Sequence, residues 1–285
     1  MGGYQIGIIG YGHIGRAMHG IFGSEIRAIY DPFLKKTTSR DLRKRKISVG
    51  DRMVFKDLDL AIVCVPTPSK KDGSCDVSIV EEAVGWCKTG LILIKSTVCP
   101  GTTDKLRKKT GKRVVFSPEY FGESTYPRPP EENDPKLWPF QIFGGEQEDA
   151  LACAQIFKPR VHPTVTVMFT DAKTAELTKY MENAWLALQV TFANEMYEVA
   201  NALGVHYDIL REGWALDPRV SKTHTLVYEE RRGFGGKCLP KDIRALIAAA
   251  EAVGYQPNLL KQVEKSNDTF TPLSQRGMTE RKGRR

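Results

Sequence analysis

Cys238 follows the glycine-rich run Gly233-Phe234-Gly235-Gly236-Lys237 and stands just before a segment that reads as a helix starting at Lys241. That placement exposes a thiol and favours its thiolate, so Cys238 reads as a nucleophile. Asp242 lies four residues on, about one helical turn away. It can reach the same reacting centre or balance the helix dipole, and both can hold. Lys179 and Asn183 are also four apart, which puts them on one helix face. Apolar neighbours Tyr180, Met181, Ala184 and Trp185 turn that face inward, where an ammonium and an amide can stabilise a developing oxyanion.

A second constellation is Gly10-Tyr11-Gly12-His13-Ile14-Gly15. It follows a strand-like run, opens a helix, and is answered by Asp31 at the end of the next strand. Gly10 permits the tight turn, Gly12 lets a pyrophosphate approach the backbone, and Gly15 lets helix and strand pack closely. The helix start offers N–H donors and a positive dipole end to phosphates. Asp31 can accept hydrogen bonds from a ribose hydroxyl, which favours NAD over NADP. Lys35, Lys36 and Arg40 just beyond it pull the other way, and Lys36 counts among the cofactor contacts.

Alternating elements must position these groups. Strands are expected at Gln5–Ile9, Ile26–Tyr30, Leu60–Val65, Leu91–Ile94, Arg113–Phe116, Gln141–Phe143 and Thr164–Met168. Helical segments between them imply right-handed crossovers and a parallel sheet. The pattern then turns helical: Asp171 to Leu203, Lys241 to Val253, and a third helix after Pro257. The expected fold is α/β, a Rossmann-type doubly wound, mainly parallel sheet followed by an all-helical domain. The expected parts are an NAD-binding domain over 1–171, a helical dimerisation domain carrying Cys238 over 172–269, and a basic, disordered tail over 270–285. Pro127 to Pro139 reads as a surface loop.

Composition narrows the class. The chain has 285 residues, 41% hydrophobic and 27% charged, which suits a soluble globular protein. It has no apolar run long enough to span a membrane and no signal segment, so a cytoplasmic protein is expected. Half of the net charge of +8 falls between Arg276 and Arg285, and Arg40 to Lys46 is a second basic run. Neither carries the aromatic interleaving of a nucleic-acid site. Cys64, Cys75, Cys87, Cys99, Cys153 and Cys238 form no CxxC pair, so neither a metal site nor a disulfide framework is expected.

Six ordered motifs carry a resemblance. They are the glycine-rich turn, Cys64-Val65-Pro66-Thr67-Pro68 with Asp72-Gly73 and Asp76, Lys95 to Thr103, Ser117-Pro118-Glu119-Tyr120-Phe121-Gly122-Glu123, Lys179-x-x-x-Asn183, and Gly233 to Asp242. Together they resemble the UDP-glucose/GDP-mannose dehydrogenase family, enzymes of polysaccharide biosynthesis. The resemblance implies oxidation of a nucleotide sugar's primary alcohol, UDP-glucose foremost, to the acid with two NAD and one water. It implies Cys238 as covalent nucleophile, Lys179 and Asn183 at the oxyanion, Asp242 and Thr97 orienting base and water, and Glu119 assisting thioester hydrolysis. Pro66, Thr67, Ser96, Thr97 and Glu123 would contact NAD. Tyr120, Phe121, Gly122, Phe234 and Gly235 would line the sugar nucleotide. Arg219, within Leu216 to Val220, would reach across a homodimer built on the long helix.

The resemblance departs at one point. Family members continue into a second Rossmann-like domain over the nucleotide, whereas this sequence stops at Arg285, so weak, slow turnover is expected of it. Two other readings stay open: a 3-hydroxyacid-type dehydrogenase, which needs no cysteine, and a catalytically weak NAD-binding dimer.

Overall fold

The computed structural model describes residues 3–120 and 134–270. Two compact units divide the chain: Met1–Pro68 with Asp76–Lys179, and Ser69–Cys75 with Tyr180–Arg285.

The first unit opens with β1 (Ile6–Ile9), α1 (His13–Phe22), β2 (Ile26–Tyr30), α2 (Lys36–Lys44) and β3 (Ser48–Val49). It continues with β4 (Leu60–Val63), α3 (Ser78–Trp86), β5 (Leu91–Ile94), α4 (Thr102–Thr110) and β6 (Arg113–Phe116). After β6 come β7 (Phe140–Gly144), α5 (Gln147–Phe157) and β8 (Thr166–Thr170). The eight strands form one sheet in the order β3-β2-β1-β4-β5-β6-β7-β8. The first six follow the doubly wound dinucleotide-binding order.

Both faces of this sheet are buried at its central strands β1, β4 and β5, as continuous apolar strands require. Ile6 and Ile8 of β1, Leu60 and Ile62 of β4, and Leu91 and Leu93 of β5 pack with Met18, Ile21 and Phe22 of α1 and Phe157 of α5. The alternate residues Ile9, Ala61, Val63, Ile92 and Ile94 face the opposite way, against Val80 and Val84 of α3 and Leu106 of α4.

The sheet is mainly parallel, as expected, with one antiparallel pair. β7 runs antiparallel to β6, pairing Phe116 with Gly144, while β8 is parallel to β7. The sequence between β6 and β7 carries the Pro-rich stretch rather than a helical pattern. That sequence carries no signal for the crossover helix that parallel pairing uses.

The second unit is helical: most of α6 (Ala172–Ala202), then α7 (Tyr207–Trp214), α8 (Leu239–Glu251) and α9 (Asn258–Phe270). Ala187 and Val190 of α6 pack with Phe234, Ile243 and Ile247 of α8, and Val263 of α9. α8 begins two residues earlier than the sequence suggests, because Pro240 sits in its first turn, where its missing N–H costs nothing. α7 is too short to have been read from periodicity. The turn 69–75, closed by an antiparallel bridge between Ser69 and Cys75, belongs to this unit. A Cβ on Gly73 would stand 3.4 Å from that of Arg244 on α8. Among the described residues no helix is long and apolar enough to cross a membrane.

Candidate active site

In the first unit, backbone geometry forces the glycine-rich turn. Gly10 has φ +90°, and a Cβ there would meet the Cys64 carbonyl oxygen at 2.6 Å. At Gly15 a Cβ would stand 2.1 Å from the Gly10 oxygen. Gly12, by contrast, borders open space, and the start of α1 has no side-chain cap. The turn at this helix start fits a pyrophosphate. Asp31 does more than face a ribose. It accepts the Tyr11 N–H at 2.7 Å and the Phe33 N–H at 2.9 Å, so it also holds the turn in place. Lys36 opens α2 and lines a shallow basic groove with Arg40, Arg43 and Lys44.

The loops after β4 and β5 are tied together. Thr67 Oγ1 donates to the Thr97 carbonyl at 2.8 Å, and Ser96 Oγ to the Val65 carbonyl at 2.7 Å. Pro66 is exposed beside them. Lys95, the residue before Ser96, is buried at the end of β5. Its Nζ lies 3.2 Å from Glu119 Oε2 and donates to Ser117 Oγ at 3.1 Å. Glu119 Oε1 accepts the Tyr120 N–H at 3.0 Å, and Lys179 Nζ stands 4.6 Å from the centroid of the Tyr120 ring. Lys179, Tyr120, Glu119 and Lys95 thus form one chain of contacts. Sequence reasoning quoted Lys95 without giving it a role. Tyr180 and Ala184 are buried as expected, but Met181 and Trp185 face solvent.

In the second unit, Cys238 is the exposed N-terminal flanking residue of α8, and its carbonyl accepts the Asp242 N–H at 2.9 Å. Asp242 is buried. It accepts a hydrogen bond from Asn183 Nδ2 and pairs with Lys241. Burial works against the Lys241 ammonium, but Asp242, then Cys75 and Cys238, outweigh it and hold the amine above its usual range. Asn183 and Asp242, 59 residues apart, therefore meet beside the thiol loop. Burial pushes the thiols of Cys64, Cys87 and Cys153 up, which makes them poor nucleophiles.

Two asparagines that sequence reasoning missed hold the glycine-rich loop. Asn267 on α9 accepts the Phe234 N–H at 2.6 Å and donates to its carbonyl at 3.0 Å. Asn194 on α6 accepts from the Gly233 N–H at 3.2 Å and from Arg232 Nε at 2.7 Å. Phe234 is buried and Gly235 exposed. Arg219 is held by Asp217 with its side chain 88% exposed, facing solvent. Phe121, Gly122 and Glu123 lie outside the described residues, as does 271–285.

Comparison with known proteins gives a consistent answer. The NAD binding domain model of the UDP-glucose/GDP-mannose dehydrogenase family matches residues 20–134, and its central domain model matches 173–269. UDP-glucose 6-dehydrogenase AglM of Haloferax volcanii is 32% identical over 263 residues, 84% of this chain and 59% of that protein. A UDP-glucose dehydrogenase structure from Pyrobaculum islandicum superposes with a TM-score of 0.78 at 25% identity, covering 94% of this chain and 68% of that one. A UDP-D-ManNAc dehydrogenase from Pyrococcus horikoshii gives 0.73 at 26% identity, covering 93% and 68%. The chain spans 59%, 55% and 50% of the length of three curated relatives it matches.

Proposed function

The chain belongs to the UDP-glucose/GDP-mannose dehydrogenase family, and we propose on that premise that it oxidises the primary alcohol of UDP-glucose to the uronic acid. NAD, bound at the glycine-rich turn and Asp31 with Pro66, Thr67, Ser96, Thr97 and Glu123 at its edge, supplies a hydride acceptor for each of two oxidations. The observation that carries the reading is the exposed Cys238 at the start of α8, one turn from a buried Asp242 held by Asn183 and Lys241.

Chemistry follows from these groups. In the first oxidation the alcohol loses a proton and a hydride and becomes an aldehyde. Cys238 sulfur then bonds to the aldehyde carbon, and the resulting thiohemiacetal keeps a carbon-bound hydrogen that can leave as hydride. A free aldehyde offers no equivalent alkoxide, which is why a thiol is needed. Water cleaves the thioester left behind, releasing the carboxylate and returning the thiol. Lys179 and Asn183 hold the developing oxyanion. Asp242 and Thr97 orient base and water, and Glu119, paired with Lys95, assists hydrolysis. Tyr120, Phe121, Gly122, Phe234 and Gly235 line the sugar nucleotide.

A second copy of the chain is the proposed partner. Met181, Trp185, Phe192, Val199 and Leu203 form an exposed apolar stripe along α6, continued by Ile209 of α7 and by Trp214, whose ring meets Phe192. A stripe of that length on one helix suits a homodimer. Arg219, in the segment after α7, would then serve the other copy's site.

A screen of nucleotide sugars for NAD reduction tests the assignment. Two NADH per UDP-glucose with no released aldehyde is the expected result. One NADH per substrate, with a carbonyl product, would identify a simple hydroxyacid-type dehydrogenase instead. NAD binding with no reduction by any sugar would leave a dimer without turnover.

A further inference from the structure

Glu176 stands three residues before Lys179 on α6, and its side chain is fully buried. Its carboxylate accepts the backbone N–H of Gly101 and that of Thr103, the latter at 2.8 Å. Those are donors at the start of α4, whose N-terminus has no side-chain cap of its own. Gly101, at φ +91°, makes the turn into that helix. A carboxylate from another helix thus supplies the cap that the local sequence lacks.

The segment between is pinned at its other end by Ser96 on Val65 and by Thr67 on Thr97. One turn beyond Glu176, Lys179 lies against Tyr120, which leads through Glu119 to Lys95, the neighbour of Ser96. These contacts close on themselves within the first unit. Glu176 is the link that joins the loop of Thr97 to the helix turn of Lys179.

We propose that Glu176 is a positioning residue: by accepting the Gly101 and Thr103 N–H groups it keeps Thr97 and Lys179 in register. This rests on the roles given to Thr97 and Lys179 in the preceding subsection. Two N–H donors at a positive helix end want an acceptor with two free oxygens. A glutamine sets an NH2 against one of the two N–H groups.

The surroundings make the link sensitive near neutrality. Burial, opposed by the Thr103 and Gly101 bonds and aided by Asp104 on α4, raises Glu176 to about 7. Lys105 and Lys108 of α4 and Lys173 of α6 border a shallow surface groove at Gly101, and Asp171 caps the first turn of α6 through Thr174. β7 approaches through Gly144, whose Cβ position would fall 2.4 Å from Ala175.

Hydrogen exchange on the full chain, wild type and Glu176→Gln, tests the link directly. Peptides spanning 96–106 are followed at about pH 6 and about pH 8.5, corrected for intrinsic exchange. Expected is protection at Gly101 and Thr103 that falls as pH rises in the wild type, and in the variant is lower than wild type at about pH 6 and little changed by pH. Turnover of the variant should fall about tenfold to a hundredfold, with the KM for NAD little changed. Equal protection in both proteins, or a variant with wild-type turnover and pH profile, would overturn the proposal. Loss of protection in the variant, with no acid formed by the wild type from any nucleotide sugar, supports the link and counts against the reaction.

Discussion

Lys95 Nζ lies 3.2 Å from Glu119 Oε2, and both side chains are out of water, at 0% and 9% exposure. Each charge is tolerable there because of the other. Ser117 and the Pro118 carbonyl take the remaining reach of the ammonium, and the Tyr120 N–H takes the second carboxylate oxygen.

Lys95→Met should therefore destabilise the protein by about 3–5 kcal/mol, since it strands a buried carboxylate. Adding Glu119→Gln should recover much of that stability while still lacking hydrolytic activity. Urea unfolding of the single and double variants checks this. An additive double variant would mean the two residues are not coupled.

Cys238→Ser should lose acid formation by several orders of magnitude and keep NAD affinity, because a hydroxyl is a far weaker nucleophile here. Cys64→Ser and Cys153→Ser should stay active, their thiols being buried and pushed up. Calorimetry with NAD and a reduction assay decide it. Loss of activity at all three positions would remove Cys238 as the sole nucleophile.

Stability should also titrate through Glu176. Its folded pKa, about 7, lies above the ordinary value of 4.5, so the folded state holds the proton more tightly than the unfolded chain. The contribution is complete below about 4.5 and is lost as pH rises through 7, on the order of 3 kcal/mol in all. Glu176→Gln should flatten this part of the profile, measured as the difference in urea midpoint from wild type. A difference independent of pH would refute the assignment.

Trp185→Asp should convert the proposed homodimer into a monomer, because it puts a charge in the middle of the apolar stripe of α6. Sedimentation at micromolar protein should show this, along with loss of turnover if Arg219 serves the partner copy. A wild-type chain that is monomeric and fully active would exclude both proposals.

The sequence made some of this legible. The turn at Gly10 to Gly15 and the run to Asp242 are local, and each needs particular residue types at fixed spacing, so both stand out along the chain. The contacts that organise them are not local. Lys95 meets Glu119 because β5 and β6 pair with Ile94 opposite Phe116, a register no spacing reveals. Asn194 and Asn267 hold the glycine-rich loop from 39 and 33 residues away. The reversed β7 was foreshadowed only by prolines.

The turn at Ser69–Cys75 has a practical consequence. The chain leaves the first unit at Pro68, closes a small ring that belongs with α8, and returns at Asp76 before crossing for good after Lys179. The NAD-binding part is therefore not a detachable module. Cutting after Lys179 would leave Gly73 without Arg244 and Cys75 without Lys241. Fragments made at that boundary should need to be coexpressed, and a swap of the helical unit between relatives must carry the seven-residue ring with it.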